Sequence, residues 1–438
     1  MEEVYVIKGL NHRSMSRRSA LKAAAGLVAA YNLGLSGARA QSGKSLNILN
    51  MNLLFSDVLA NQIAKAYTDA EISADPVPQN EQYEKLLVEM SQGSSTYDLL
   101  VLDALFIHQV LGNKWVQSVD DIKTNDSSLP ALQYENLFPE ALKYVQSDGK
   151  RYGIPLTFST PIFAYRKDLF EEKGLSVPTN WDDYRKCAEA LHSGDVAGNI
   201  LLLGGQDAHM SGDWATRLMG MTKLGPEDDG VLDAKNQPIF NSEGQGVRAI
   251  ERLKEVLPYA PKGAQGLDYP DGISLFSQGR AAMFISWSDV FAGLETGPLK
   301  GKIGYAAVPS EKFQQQMTGG MSLGISVNSA NQAEAYKFLD WMLRGEGYRL
   351  LLENGETNLV YKSQLEDPAV RQKIPSLNVY EDFKKRGTTT IALPPYRVPN
   401  SVEVQRVLYE EILAAMLDRK TPQQAMTDAE SRVKSVIR

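Results

Sequence analysis

An α/β architecture with a largely parallel sheet is the fold class this sequence predicts, and three observations predict it. Extended apolar segments alternate with segments of helical period, the pattern of βα units. Leu99-Leu-Val-Leu102 is an unbroken apolar run, as in a parallel strand covered on both faces. With 438 residues, the chain is long enough for two domains with sizeable cores.

Taken in order, Leu46–Asn52 opens as a strand whose end is rich in amides. Ser56 or Asp57 can cap a helix carrying Leu59, Ile63, Ala66 and Tyr67 on one face. Residues 81–90 form a second helix, with Asn80 as cap and Tyr83, Leu86, Leu87 and Met90 aligned. Leu99–Leu102 follows and ends at Asp103. Residues 181–191 are helical, 200–203 a strand, 226–238 a polar surface excursion and 247–257 a helix. Met283–Ile285 is a strand, and Ile303–Pro309 is extended and reads as a crossing between domains. A helix over 332–343 carries Asn331 and Glu334 at capping-box spacing. A proline-rich stretch, Leu393–Pro399, precedes a last helix with Val404, Val407, Leu408, Ile412 and Ala415. The sequence shows neither internal repeats nor low-complexity tracts.

The most informative stretch is Tyr152–Leu175. Pro155 and Pro161 bracket Thr157–Thr160 and push their preceding residues towards extended geometry, so this segment crosses space rather than coiling. Ile162–Tyr165 reads as a short buried strand, and Lys167–Lys173 as a helical turn stopped by Gly174. Its wording, Tyr152-Gly-Ile-Pro155, then Tyr165-Arg-Lys-Asp-Leu-Phe170, then Gly174-Leu175 with Pro178 and Trp181, resembles the lobe crossing of bacterial extracellular solute-binding proteins of family 1. These are the sugar-binding relatives of maltose-binding protein. Arg166 stands where that family usually has Asn. Further points of resemblance are Phe284–Trp287, Gly319–Ile325 and Lys420–Ala425. The resemblance implies a two-lobed periplasmic-binding-protein fold of type II, with a hinge and interleaved lobes. It assigns 44–157 plus 309–352 to lobe 1 and 162–305 plus 358–438 to lobe 2. Three crossings are then expected, near Leu156–Pro161, Tyr305–Pro309 and Leu352–Leu359.

Composition narrows the partners. The net charge is −7; residues 1–40 hold six basic and two acidic residues, so the remainder carries 40 basic against 51 acidic, a net −11. An acidic chain of this kind disfavours nucleic acid and anionic membranes. Cys187 is the sole cysteine and lies in a helical pattern with Tyr184, Ala188 and Leu191, which reads as a small buried hydrophobe. At the amino terminus, Ser16–Lys22 resembles a twin-arginine export motif, with Ala20 where Phe is preferred. An apolar run of about thirteen residues follows, shorter than the ~20 a bilayer span needs. Ala38-Arg39-Ala40 then supplies a small-x-small cleavage pattern. Residues 1–40 are therefore expected to be a signal peptide cut after Ala40, giving a periplasmic protein. Met15 is an alternative start.

Open α/β sheets present ligand-contacting groups beyond the carboxyl ends of their strands. Asn50, Asn52, Asp103, Gln206, Trp287 and Asp289 fall at such ends. A sugar or polyol needs directional partners for its hydroxyls and flat aromatic faces for its C–H surface. Trp287, flanked by serines, is the first candidate for the stacking wall, with a core tryptophan as the bland alternative. Asp103 either reaches a ligand or caps the following helix, and Trp214 divides evenly between cleft and helix face. Gln79, Ser159 in the first crossing, and Tyr396 with Arg397 among the prolines complete the side-chain candidates. By the resemblance, Gly320 and Met321 bring backbone to the ligand.

Enzyme chemistry finds less support. Gly320-Met-Ser322-Leu-Gly324 fits the hydrolase pattern G-x-S-x-G, but all four histidines precede Ser322 and a strand continues after it, against that mechanism's chain order. No metal-ligand spacing, phosphate loop or dinucleotide fingerprint occurs, so no metal or cofactor is expected. A distant carboxylate pair, as in a glycosidase, has no sequence signature. The resemblance implies an exported, monomeric substrate-binding component of an ABC importer. It would take a sugar or polyol and dock on the membrane permease. A cationic ligand such as a polyamine and a secreted glycosidase are the alternatives.

Overall fold

The computed structural model describes residues 44–437, apart from 53, 205–206, 226–227, 296 and 393–397. The export signal expected over residues 1–40 lies outside them. Among the described residues, a six-stranded sheet is ordered Glu71–Val77, Ser45–Met51, Leu99–Asp103, Met321–Ser326, Val116–Gln117, with Ile154–Pro155 also pairing Met321–Ser326. The first three strands are parallel, in register from Ser45 opposite Glu71 to Met51 opposite Val77. Met321–Ser326 returns from far along the chain and inserts antiparallel, Met321 facing Asp103. The strand Glu71–Val77 escaped the sequence reading because Asp75 and Pro76 interrupt its pattern. Proline is tolerated there since the strand is at the edge.

The apolar run Leu99–Leu102 is covered on both sides. Leu99 and Val101 join Leu46, Ile48, Leu323, Phe338 and Leu339 in one core, the last two from the helix Gln332–Leu343. Leu100 and Leu102 face the opposite way, onto Leu86, Met90, Ile107 and Val110. Strand period two has thus sorted one run into two cores.

The second sheet is antiparallel, contrary to the expectation of a largely parallel fold. Pro161–Arg166 lies between Ile303–Ala306 and Met283–Trp287, with Pro161 opposite Trp287. Ile200–Leu203, read as a strand, is buried but irregular. Ile200 N–H reaches Met283 O, and its neighbour Ala197 forms a single bridge to Ala281. Lys167–Lys173 is helical and stops at Gly174 in the left-handed region, φ 62°. Helices Trp181–Leu191, Asp207–Leu218, Gln245–Val256, Ser401–Met416 and Pro422–Val436 pack into the core beside this sheet. The residues Lys44–Arg438 form one compact unit.

Between the sheets the chain passes repeatedly, and the passages bond to each other. Leu156 and Thr157 N–H donate to Met321 O, at 2.7 and 3.2 Å, and Ser159 and Gly319 exchange two bonds of 2.9 Å. Phe158 N–H reaches Asn358 O at 3.2 Å. The middle passage comes later than Tyr305–Pro309. Ile303–Ala306 is an edge strand, Ser310 N–H bonds Thr179 O, Lys312 and Phe313 bond Gly220 O, and Gln315–Thr318 pairs with Thr389–Ala392. Extended apolar sequence alone does not separate an edge strand from a crossing.

Gly320 makes the middle passage possible. Its φ is +151°, and a Cβ there would lie 2.1 Å from Thr157 O and 3.2 Å from Phe158 Cα, both backbone. Gly320→Ala should cost at least ~2 kcal/mol, since backbone must move to admit one methyl group. Urea unfolding measures this, and a midpoint unchanged from wild type would show that the crossings are not so tightly apposed.

Candidate functional site

A cavity of about 30 Å³ sits at the carboxyl end of Met283–Trp287, beside the passage between the sheets. Asp213, Thr216, Tyr269, Ser286, Trp287 and Met317 are on its wall. Two larger hollows, about 680 Å³ beside Asp120 and the Gln146–Arg151 turn and about 480 Å³ between His192 and Arg280, are lined by residues outside the crossing segments. The small cavity is the chemically organised one.

Each wall residue is held by local structure. Trp287 ends its strand half-buried, and the tip of its ring reaches the crossing: a Cβ on Gly319 would lie 3.2 Å from its Cη2 and Cζ3. Tyr269 is the first residue of the helix Tyr269–Ser277, set by a capping box in which Asp268 and Asp271 each accept the other's backbone N–H. Its hydroxyl bonds the Ser286 side chain, and burial first, then Asp289, pushes its pKa well up. Asp213 and Thr216 come from the helix Asp207–Leu218. Burial raises the Asp213 carboxyl, against the lowering pull of Arg217 four residues on.

Behind the cavity two acids meet at the third crossing. Asp289 shares a side-chain bond with Asn358, while its Oδ1 is buried without a hydrogen-bond partner. Burial raises its pKa. Glu356 Oε1 accepts the N–H groups of Thr357 and Asn358 at 2.8 and 2.7 Å. Burial, and next the Asp289 charge, push Glu356 up to about 7. Asn358 Oδ1 accepts from Ser288 Oγ at 2.9 Å, and Ser288 N–H donates to Thr160 O. Residues 158–160, 288–289 and 356–358 are thereby one network.

The other expected contacts divide. Asn50 is fully buried and structural: its Oδ1 accepts from Met51 N–H at 2.9 Å and Ser56 Oγ at 3.2 Å. Trp214 is also fully buried, donating Nε1–H to Gly246 O at 3.0 Å and meeting Phe240 edge-on, so it belongs to the core. Asp103 Oδ1 accepts Leu105 N–H at 2.9 Å within a turn, and the helix that follows starts at Ile107 without a side-chain cap, so Asp103 is not its N-cap. Asn52 is exposed, with its N–H on Val77 O. Gln79 opens the helix Gln79–Ser91. Ser159, Gly320 and Met321 lie in the crossings, and Ser322 is buried in a strand that pairs on both sides, no nucleophile's turn. Gln206, Tyr396 and Arg397 lie outside the described residues. Asp213, Thr216 and Tyr269 were missed. Successive helical residues point about 100° apart, so a helix that buries Trp214 can offer Asp213 to the cavity.

The family model for bacterial extracellular solute-binding protein matches residues 55–348. The chain belongs to that family. Among its relatives are the probable amino-acid ABC transporter periplasmic-binding protein y4oP of Sinorhizobium fredii, 24% identical over 82% of this chain and 81% of the relative, and the erythritol/L-threitol-binding protein of Mycolicibacterium smegmatis, 24% identical over 72% and 70%. The crystal structure of an Agrobacterium radiobacter ABC-transporter solute-binding protein in complex with ribitol superposes with a TM-score of 0.78. It is 24% identical and covers 91% of this chain and 100% of that one. The fold of this solute-binding protein is the two-lobed one of its structural neighbours, and its family is extracellular.

The two tryptophans separate by stability. Trp214→Ala should cost ~3–5 kcal/mol, the range for emptying a large aromatic site, while Trp287→Ala, half-buried, should cost clearly less. Paired urea melts decide, and equal losses would put Trp287 in the core. Glu356 adds a pH dependence. Its carboxyl has a folded pKa above its ordinary 4.5, so its contribution to stability is complete below pH 4.5 and is lost as pH rises through about 7. The loss is on the order of 3 kcal/mol. Glu356→Gln keeps an accepting oxygen and should flatten the fall in melting temperature between pH 5 and 8 to what Asp289 leaves. An unchanged slope in thermal melts would discharge Glu356 from this role.

Proposed function

We propose that this chain is the exported solute-binding component of an ABC importer for a sugar or polyol, held between two lobes that close on it without catalysis. One observation carries the reading. Trp287 projects from a second-sheet strand end towards Gly319 of the crossing, beside Tyr269 and three side chains able to bond hydroxyls, Asp213, Thr216 and Ser286. Aromatic faces serve the C–H side of a polyol and the oxygen groups serve its hydroxyls. The ribitol and erythritol/L-threitol named with the relatives are ligands of that chemistry.

The size of the cavity supports a moving wall. A site of about 30 Å³ holds roughly two waters, at the ~10–15 Å³ each requires, and admits a polyol only if its sides separate. Hydrogen bonding favours lobes of 44–157 with 321–355 and 161–318 with 358–437, hinged where the three crossings bond. A ligand touching both lobes binds the closed form better, and only that difference drives closure. Asn52, Asp103, Gly320 and Met321 are the first-lobe groups at that boundary, and Asp289 backs the second-lobe wall. The permease reads the closed surface. Export of the twin-arginine type with cleavage after Ala40, and a monomeric state, belong to the same reading.

Calorimetry and small-angle scattering with ribitol, erythritol, mannitol and maltose test it together. One of these should bind, shrink the radius of gyration and be recovered unchanged. Trp287→Ala should weaken that binding by about 2 kcal/mol or more. A chemically altered ligand would make the chain an enzyme. Tight binding with a constant radius would remove the hinge.

A further inference from the structure

The cavity wall carries a carboxylate, Asp213, and the protein as a whole is acidic, which on its face invites a cationic ligand. The groups behind Asp213 argue otherwise. Arg217, one helical turn later, is 1% exposed. Its guanidinium lies 4.7 Å over the Trp181 ring, and its Nη1 donates to Asp213 Oδ1 and, at 3.0 Å, to Asp213 O. Trp181 is itself fixed as the first residue of a helix capped by Asn180, whose side chain accepts Asp183 N–H. Arginine keeps its proton in proteins, so this buried cation persists and needs its counter-charge. The Asp213 side chain, 18% exposed, is that counter-charge and also the cavity's acid.

We propose that the Asp213–Arg217 pair is the charge filter of this site. Asp213 accepts ligand hydroxyls, and Arg217, a positioning residue behind it, cancels its charge. A cationic ligand would compete with Arg217 for one carboxylate while facing a guanidinium it cannot displace. An anionic ligand would meet Asp213 itself. A neutral hydroxyl uses lone pairs that the Arg217 bond leaves open, and changes no charge. The pair therefore selects an uncharged polyhydroxy compound over its amino and acid analogues. The inference rests on the sugar or polyol reading of the same cavity.

The test uses the whole chain and calorimetry with ribitol, D-mannitol and D-glucitol, each beside its 1-amino-1-deoxy analogue and its aldonate. Wild type should bind a neutral alditol at least ten-fold more tightly than either charged analogue. Asp213→Asn leaves the Arg217 cation unbalanced, and the aldonate should gain at least ten-fold relative to the alditol. Arg217→Met leaves the acid unbalanced and should move the ratio the same distance towards the amino analogue. A role in stability alone would weaken all three ligands together and leave the ratios fixed. Circular dichroism and melting curves establish folding; should Arg217→Met fail to fold, Asp213→Asn carries the test. Wild type binding a charged analogue as well as the alditol, or ratios unmoved in a folded variant, overturns the filter and leaves the polyol reading standing. No alditol, sugar or analogue binding to wild type overturns both.

Discussion

The two sheets are tied to each other by the close pairing of two crossing segments, residues 156–161 and 316–321. Their bonds are backbone to backbone, Leu156 and Thr157 onto Met321 O and Ser159 with Gly319, supplemented by Thr160 Oγ1 on Met317 O and Gln316 Nε2 on Pro161 O. The constraint is steric before it is energetic. At Gly320 there is no room for a Cβ, because the Thr157 carbonyl occupies it. A ladder so close leaves little freedom to slide apart but permits bending along its length. Hinges are a few element-terminal residues that absorb dihedral change while their neighbours stay packed.

The site is placed by that same ladder. Pro161 begins the central strand of the second sheet directly opposite Trp287, so the residue that leaves the crossing and the residue that ends the strand share one register position. Met317 then lines the cavity from the returning segment, and Gly319 of the same segment lies against the tip of the Trp287 ring. Three stretches distant in sequence, 158–161, 284–289 and 316–319, are brought together by strand pairing of the first two and by the Ser159–Gly319 bridge and side-chain bonds of Thr160 and Gln316 to the third. The helices Asp207–Leu218 and Tyr269–Ser277 add the polar groups. The buried acids Asp289 and Glu356 lie where the third crossing joins this assembly. Desolvation disfavours both charges, and the Asp289 charge adds to the rise at Glu356, so the bonds that join these segments are sensitive to protons.

Periodicity made much of the fold legible. The helices Lys167–Lys173, Trp181–Leu191 and Gln332–Leu343 stand where the apolar pattern sets them, and Gly174 stops the first; Asn331, expected to cap the last in a box with Glu334, makes no side-chain cap bond, and Glu334 pairs with Lys44 instead. Family wording located the first crossing, since Tyr152–Trp181 carries it in one continuous phrase. What stayed illegible depends on partners that are remote in sequence. Ile303–Ala306 and Thr318–Met321 are both short and extended, and only their neighbours make one an edge strand and the other a crossing. Asn50 looked like a strand-end ligand group because nothing local shows that Ser56 turns back to meet it. Trp287 could be picked from its serine flanks, whereas Tyr269 and Thr216 carry no local mark of a cavity. Asp213 was passed over for Trp214, although a 100° step of one helix separates a core residue from a wall residue.

Charge is the last level at which global and local readings part. The chain beyond residue 40 carries a net −11, which governs long-range repulsion and the choice of macromolecular partners. It says little about a cavity about 30 Å³ in volume, because exposed charges more than about 10 Å away are largely screened at ordinary salt. Within the cavity the sum is different: one wall carboxylate, one buried guanidinium in contact with it, and Asp289 behind Tyr269 with its carboxyl raised by burial. A low-dielectric site magnifies whatever imbalance it holds, so pairing Asp213 before any ligand arrives keeps the ligand from having to supply a charge. The acid is then free to act through geometry, accepting hydroxyls in fixed directions, which is the property that distinguishes one polyhydroxy compound from another.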